Sequence, residues 1–244
     1  MNTVNILGVA VSCIDLEGLL ETVGKWAQER EQHTIMYVNA HCMNTAYSDK
    51  PYREILGWAD LVLADGVGVV WSSRFLGGCR LQKLVAGAWI DEFCKLAGEK
   101  DISIYILAGE AGIVERAAEN LQDKWPNLFI SGTSDGFFSD KSESQVLEEL
   151  DRLKPDVLFA GMGTPRQEKW LYDHRADIEA PVCWAVGALF DYIAGSEQRV
   201  PGWMYNLGLE WLWRFLVDPV GKWRRYVIGN PLFIYRVIRQ RLGL

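Results

Sequence analysis

Short apolar runs recur along residues 1–200, at VNILGV, TIMYV, DLVLA, ISIYIL, NLFIS, PDVLFAG and PVCWAV, rich in Val, Ile and Leu on both faces. A strand covered by protein on both sides reads this way, so the runs predict a parallel sheet. Amphipathic helical stretches fill the gaps. Asp15 is placed to cap LEGLLETVGKWAQERE, Gly112 opens IVERAAENLQDKW before Pro126, and Ser142 opens ESQVLEELDRL before Pro155. The predicted fold class is α/β, a parallel sheet with helices on both faces.

The pattern changes at Pro201-Gly202. Beyond it lie Trp203, Tyr205, Trp211, Trp213, Phe215, Trp223, Tyr226, Phe233 and Tyr235, with no further strand-and-helix unit. Two parts are therefore expected, a core over 1–200 and an aromatic, basic appendage over 201–244. Charge divides at the same point. The whole chain carries a net −7, but residues 201–244 hold seven basic side chains against two acidic ones, which leaves −12 on the first 200 residues. The two parts are expected to meet different partners.

At 244 residues and 49% apolar, the chain can bury a sizeable core. The longest stretch without Asp, Glu, Lys or Arg, between Glu31 and Asp49, carries Asn39, His41 and Asn44, which argues against a membrane-spanning helix there. The start, MNTVNILGVAVSC, reads as a strand rather than a signal peptide, and a cytoplasmic protein is expected. Five cysteines (Cys13, Cys42, Cys79, Cys94, Cys183) are scattered with an odd total and no CxxC spacing. That argues for small buried hydrophobes rather than a disulfide framework or a zinc site.

In open parallel sheets ligands bind at the carboxyl ends of the strands, so the residues just past each strand carry the candidate chemistry. In ADGVG the strand Leu61–Ala64 ends on Asp65, and Gly66 lets the backbone turn. Asp65 there is either a general base in the crevice or the N-cap of the next helix. In PDVLFAGMGTPRQEKW, Gly161 and Gly163 precede Thr164 as N-cap and Pro165 at the first helical position. That helix start suits a diphosphate, with Arg166 and Gln167 in reach. Glu168 either completes a capping box with Thr164 or meets a ligand hydroxyl, and a purely structural turn is the competing reading. In VGALFDYIAG, Asp191 lies one turn past Gly187, either as a partner for a ribose, base or sugar hydroxyl or as a surface cap.

Only three histidines occur, His33, His41 and His174, and no Asp-x-Asp, so no metal site is expected. Charge on a leaving diphosphate would then fall to arginines and helix starts. Arg214 in LEWLWRFLVDP has Glu210 four residues before it as an alternative ion-pair partner, whereas Arg224 and Arg225 in GKWRRY cannot both be explained that way. Ile234 and Ile238 share a helical face flanked by Arg236 and Arg239, the composition of a helix lying among lipid headgroups, or of a protein interface.

At ADGVGVVWSSRFLGG, PDVLFAGMGTPRQEKW, VGALFDYIAGSEQRVPGW and GLEWLWRFLVDP with RRY beyond it, the chain resembles the WecG/TagA/CpsF family of glycosyltransferases, in order and over nearly its whole length. The resemblance implies a Rossmann-like fold whose C-terminal appendage closes over the site at the membrane. It also implies an inverting, metal-independent enzyme that needs no cofactor and moves a sugar from a UDP-sugar to an undecaprenyl-diphosphate-linked sugar, building cell-surface polysaccharide. N-acetylmannosamine and its uronic acid are the best-known donor sugars. Asp65 is then the expected base, with Asn39, Gln167 and Asp191 around the donor and Arg214 and Arg225 on a diphosphate. The chain departs from the family in carrying Tyr37 where a threonine is usual and Ala86-Gly87-Ala88-Trp89-Ile90 where Thr-Gly-Ser-Asp-Leu is usual. Val220 or Gly221 stands where an arginine is often found, with Arg224 the nearest substitute. These changes remove small polar contacts and leave the donor and acceptor sugars open.

The implied partners are the UDP-sugar, the polyprenyl-diphosphate-linked acceptor and the inner face of the cell membrane through residues 201–244. A homo-oligomer is compatible with an exposed appendage, and no nucleic-acid partner is expected. Two other readings compete. One is a Rossmann-type nucleotide-dependent enzyme, for which VNILGVAVSC lacks the GxGxxG turn. The other is a non-catalytic peripheral membrane module.

Overall fold

The computed structural model describes residues 2–137, 140–198 and 200–244. Arg199, within the VGALFDYIAGSEQRVPGW motif, lies outside them. The chain opens with β1 (Thr3–Ile6) and β2 (Val9–Ser12), followed by α1 (Leu16–Trp26), β3 (His33–Val38), α2 (Ala40–Ser48), α3 (Lys50–Trp58), β4 (Leu61–Ala64), α4 (Val67–Leu76) and α5 (Ala86–Glu99). Then come β5 (Ser103–Ala108), α6 (Ile113–Lys124), β6 (Phe129–Ser134), α7 (Asp140–Leu153), β7 (Val157–Gly161), α8 (Arg166–Asp173), β8 (Val182–Ala185) and α9 (Leu189–Ile193). The C-terminal segment forms α10 (Gly202–Asn206), α11 (Glu210–Val217), α12 (Pro219–Trp223), a π-helical turn over Arg224–Ile228, and α13 (Gly229–Leu242).

Six strands form one parallel sheet in the order β4-β3-β8-β7-β5-β6. Side chains alternate across it. Met36 and Val38 of β3 join one core, with α2, α3, α4, α7, α8 and α13, while Ile35 joins the other, with α1, α5, α6 and α9. The apolar runs are buried on both faces because helices cover both faces. Asp15 caps α1 by accepting the Gly18 N–H at 2.9 Å, and Gly112 opens α6, both as the sequence predicts.

Four expectations need correction. VNILGV is not a strand of the parallel sheet. Leu7 and Gly8 take positive φ and fold the start into an antiparallel hairpin, β1 with β2, which packs on β4 and α4. Ser142 does not open α7, which already begins at Asp140. Thr164 does not cap α8 and Pro165 is not its first residue; the helix starts at Arg166 with no side-chain cap bond, because the Thr164 hydroxyl is engaged elsewhere. Cys13 and Cys79 are joined in a disulfide, their Cα atoms 6.2 Å apart across 66 residues of sequence. The hairpin's seat against α4 brings them together, a closeness that no sequence spacing reports. Cys42, Cys94 and Cys183 are free and buried, as expected.

Within residues 201–244, α13 returns to the core. Phe233 and Val237 are buried, the Gln240 side chain accepts the Leu7 N–H at 2.8 Å and donates to Asn5 O at 3.0 Å, and Arg236 donates to Asn44 Oδ1 at 2.8 Å. Arg236 also lies 4.1 Å from the Tyr47 ring centroid, so it is held by protein rather than free for headgroups. Ile234, Tyr235 and Ile238 on the same helix are exposed. Among the described residues no helix is long and apolar enough to cross a membrane.

Candidate active site

Strands β3 and β8 adjoin in the sheet although far apart in the chain, and a crevice opens beyond the carboxyl ends of β4, β3, β8 and β7. Val38 pairs in register with Ala64, so the next residues, Asn39 and Asp65, are neighbours. Asn39 is extended and caps α2, its Oδ1 accepting the N–H groups of His41 at 3.0 Å and Cys42 at 3.2 Å. Its amide nitrogen is left to donate to Asp65 Oδ2 at 3.2 Å. Gly66 has φ +105°, a conformation that L side chains rarely adopt, and it is Gly66 that stands at the N-cap of α4, without a side-chain bond. Asp65 is therefore not the cap of α4. Its carboxylate faces the crevice.

Two cavities meet at that carboxylate, one of about 580 Å³ and one of about 470 Å³. Asn39, His41, Asp65, Val85, Glu210, Arg214 and Arg225 line both. Burial raises the Asp65 carboxyl above the ordinary aspartate range, Arg214, the Asn39 amide and Arg225 pull it back, and Glu210 pushes it up. Burial and the nearby Arg225 hold His41 below the ordinary imidazole value. Among the described residues no three His, Cys, Asp or Glu side chains gather as a metal-binding group.

The C-terminal segment supplies one side of the site. Glu210 does not pair with Arg214; it accepts from Lys83 Nζ at 2.7 Å, while Lys83 also reaches Tyr205 O at 3.3 Å and sits 3.6 Å from the Tyr205 ring centroid. Arg214, one turn on from Glu210, is released toward Asp65 and lies 5.6 Å from the Tyr192 ring centroid. The π-helical turn places Arg225 opposite.

The larger cavity is walled by apolar groups from α4, α11, the π-helical turn and α13, among them Val67, Trp211, Val227, Phe233 and Ile234, with Gly66 at its rim. The smaller holds Tyr37, Gly163, Thr164, Gly187, Tyr192 and Trp213, together with Ala86, Gly87 and Ala88 at the start of α5. No side chain caps α5, and while the Ala88 N–H donates to Val85 O at 2.8 Å, those of Ala86 and Gly87 are left for a ligand; the buried Trp213 indole N–H has no acceptor among the described residues.

The remaining candidates lie outside both cavities. Gly161 is a packing glycine, since a Cβ there would stand 2.7 Å from both Ala108 Cβ and Gly187 O. Arg166 stacks on Phe137, its guanidinium 5.3 Å from the ring centroid. Gln167 and Glu168 are buried beneath the smaller cavity, bonded to each other and to its wall. Glu168 forms no capping box, and its partners are protein groups. The Asp191 carboxyl lies beside Gly109, raised by burial and then by Glu197. Arg224 packs over Trp223 at 5.4 Å from the ring centroid. His41, Lys83, Tyr192 and Trp213 were not singled out from sequence. His41, three residues past the end of β3, was the legible one; the others arrive from loops and helices whose placement is tertiary.

A family model described as "Glycosyl transferase WecG/TagA/CpsF family" matches residues 4–244. The chain belongs to the WecG/TagA/CpsF family of glycosyltransferases. The protein is thus a glycosyltransferase, and Asp65 lies in its crevice where the two cavities meet. Among relatives, it is 30% identical over 207 residues to the N-acetylglucosaminyldiphosphoundecaprenol N-acetyl-beta-D-mannosaminyltransferase of Bacillus subtilis (strain 168), covering 84% of this chain and 79% of that one. It is 29% identical over 244 residues to the enzyme of the same name from Staphylococcus aureus (strain NCTC 8325 / PS 47), covering 98% of this chain and 93% of that one.

Proposed function

We infer that this WecG/TagA/CpsF glycosyltransferase moves a hexose from a UDP-sugar to a sugar carried on a polyprenyl diphosphate, with inversion, at the inner face of the cell membrane. The observation that carries the reading is the place of Asp65. A group transfer between two bound substrates needs one base where they meet, and Asp65 stands at the junction of two cavities of different character.

The smaller cavity suits the donor. The glycine turn at Gly163 lets backbone approach a ligand, the Ala86 and Gly87 N–H groups at the start of α5 suit a diphosphate, and the Trp213 indole offers one more donor. The larger cavity suits the acceptor, since its apolar wall of Val227, Phe233 and Ile234 runs beside Arg214 and Arg225, matching a lipid joined to a diphosphate. Asp65 takes the proton of the acceptor hydroxyl as that oxygen attacks the anomeric carbon from the face opposite the nucleotide. The bond to the UDP oxygen breaks, and Arg214 and Arg225 balance the charge that develops there. The acceptor lipid explains the exterior of residues 201–244, where Trp203, Leu207, Leu216, Val217, Val220, Trp223, Val227 and Ile228 are exposed.

The relatives' names make UDP-N-acetylmannosamine with an N-acetylglucosaminyl-diphosphate lipid the first pair to test. Asp65→Asn keeps the shape of the site and removes the base. Transfer to a short-chain prenyl-diphosphate sugar should fall by at least about 10²-fold with UDP affinity nearly unchanged. Undiminished turnover would remove Asp65 from this role.

A further inference from the structure

Beneath the smaller cavity lies a polar network that the reaction above does not use. Gln167 and Glu168, in the first turn of α8, have no exposed surface. The Thr164 hydroxyl donates to Glu168 Oε1 at 2.8 Å, and Gln167 Nε2 donates to the same oxygen at 2.9 Å. With its nitrogen committed to Glu168, the Gln167 amide turns its oxygen to the Gly187 N–H, which donates to it at 3.0 Å. Thr164 follows β7 and Gly187 follows β8, and both line the cavity, as does Tyr37, whose hydroxyl is hydrogen-bonded with Thr164. One carboxyl thus braces two segments of cavity wall without reaching the cavity itself.

We propose that Glu168 is a positioning residue for the donor pocket, fixing the Thr164 hydroxyl directly and the Gly187 turn through the orientation it imposes on the Gln167 amide. The inference rests on the smaller cavity being the donor site. Sealing a carboxyl away from water is costly, the more so here because Glu168 Oε2 is buried with no hydrogen-bond partner among the described residues, and an apolar side chain would fill the same space more cheaply. What the apolar side chain lacks is an acceptor for two donors at once. Without that acceptor the Gln167 amide is free to turn over and set its own N–H groups against the Gly187 N–H. Burial lifts the Glu168 carboxyl to about 7, with the Gln167 amide and the Thr164 hydroxyl holding it down, so the uncharged acid is within reach near neutrality. The uncharged acid still accepts both bonds through Oε1.

The test compares Glu168→Gln, whose carbonyl oxygen can accept the same two bonds, with Glu168→Leu, which fills the space without an acceptor. Donor KM, acceptor KM, kcat and UDP affinity are measured on the full chain at a temperature where circular dichroism shows each variant folded. Glu168→Gln should stay within about threefold of the parent, while Glu168→Leu should raise donor KM by about tenfold or more and leave acceptor KM within about twofold. If the Leu variant does not fold, Glu168→Asp, which draws the carboxyl back by one methylene, should show the same selective rise. An unchanged donor KM, an equal loss on donor and acceptor, or a Gln variant as impaired as the Leu variant overturns the proposal. Ala88→Trp, which fills the smaller cavity, separates the two readings. If it blocks UDP binding while Glu168→Leu changes nothing, the positioning role alone fails; if it leaves UDP binding intact, the donor site itself is misassigned and the proposal fails with it.

Discussion

Asn39 donates to Asp65 across 3.2 Å, tying the first residue after β3 to the first after β4. The same side chain caps α2 through its oxygen, so one asparagine both starts a helix and orients the Asp65 carboxylate.

These two duties can be separated. Asn39→Ser keeps an oxygen for the helix cap and loses the amide that Asp65 accepts from. Melting temperature should change by no more than about 2 °C, and kcat should fall by about tenfold or more. Equal losses in stability and turnover would make Asn39 a cap and nothing else.

Burial raises Asp65 while Arg214 opposes the rise. Because the base must be ionised to work, kcat/KM should climb with pH along an acid limb that lies above the ordinary aspartate range. Arg214→Gln removes an opposing charge and should move that limb to higher pH, besides lowering kcat by about 10²-fold. A limb that stays in place while kcat drops would mean that Arg214 serves the leaving diphosphate alone.

Glu168 also links protonation to stability. Its value in the fold, about 7, lies above the 4.5 ordinary for glutamate, so the folded chain holds a proton that the unfolded chain releases. The stability it contributes is fully present below about pH 4.5 and is lost as pH rises through 7, a difference on the order of a few kcal/mol. Glu168→Gln abolishes that titration. The stability of the variant relative to the parent should therefore increase from pH 5 to pH 8, as read from denaturant midpoints; a constant difference would contradict the raised value.

Membrane contact is best tested without truncation, because cutting at residue 200 removes Phe233 and Val237 from the core. Val220→Asp and Ile228→Asp change exposed positions only, 84% and 51% accessible. Each should weaken co-sedimentation with anionic vesicles by about tenfold while UDP affinity stays as it is, since each withdraws about 1.5 kcal/mol of apolar contact. Vesicle binding untouched by both would place the membrane face elsewhere.

The sequence by itself determined a parallel sheet covered on both faces and the strand-end position of Asp65, because burial on both faces and the turn at Gly66 are written in local residue types, whereas the transfer of VNILGV to a separate hairpin was not. The aromatic, basic segment after residue 200 was legible for the same reason. It could not determine partners, since partners are distant in the chain and local pattern carries no information about them. Asp65 as cap or crevice carboxylate was undecided until Asn39 and Arg214 stood beside it, and Glu210 turned out to belong to Lys83 rather than to Arg214. Glu168 read as a cap or a ligand contact, yet the turn before α8 buries it under the cavity wall. The pairing of Cys13 with Cys79 was equally hidden, because the hairpin that joins them is held by tertiary packing against β4 and α4.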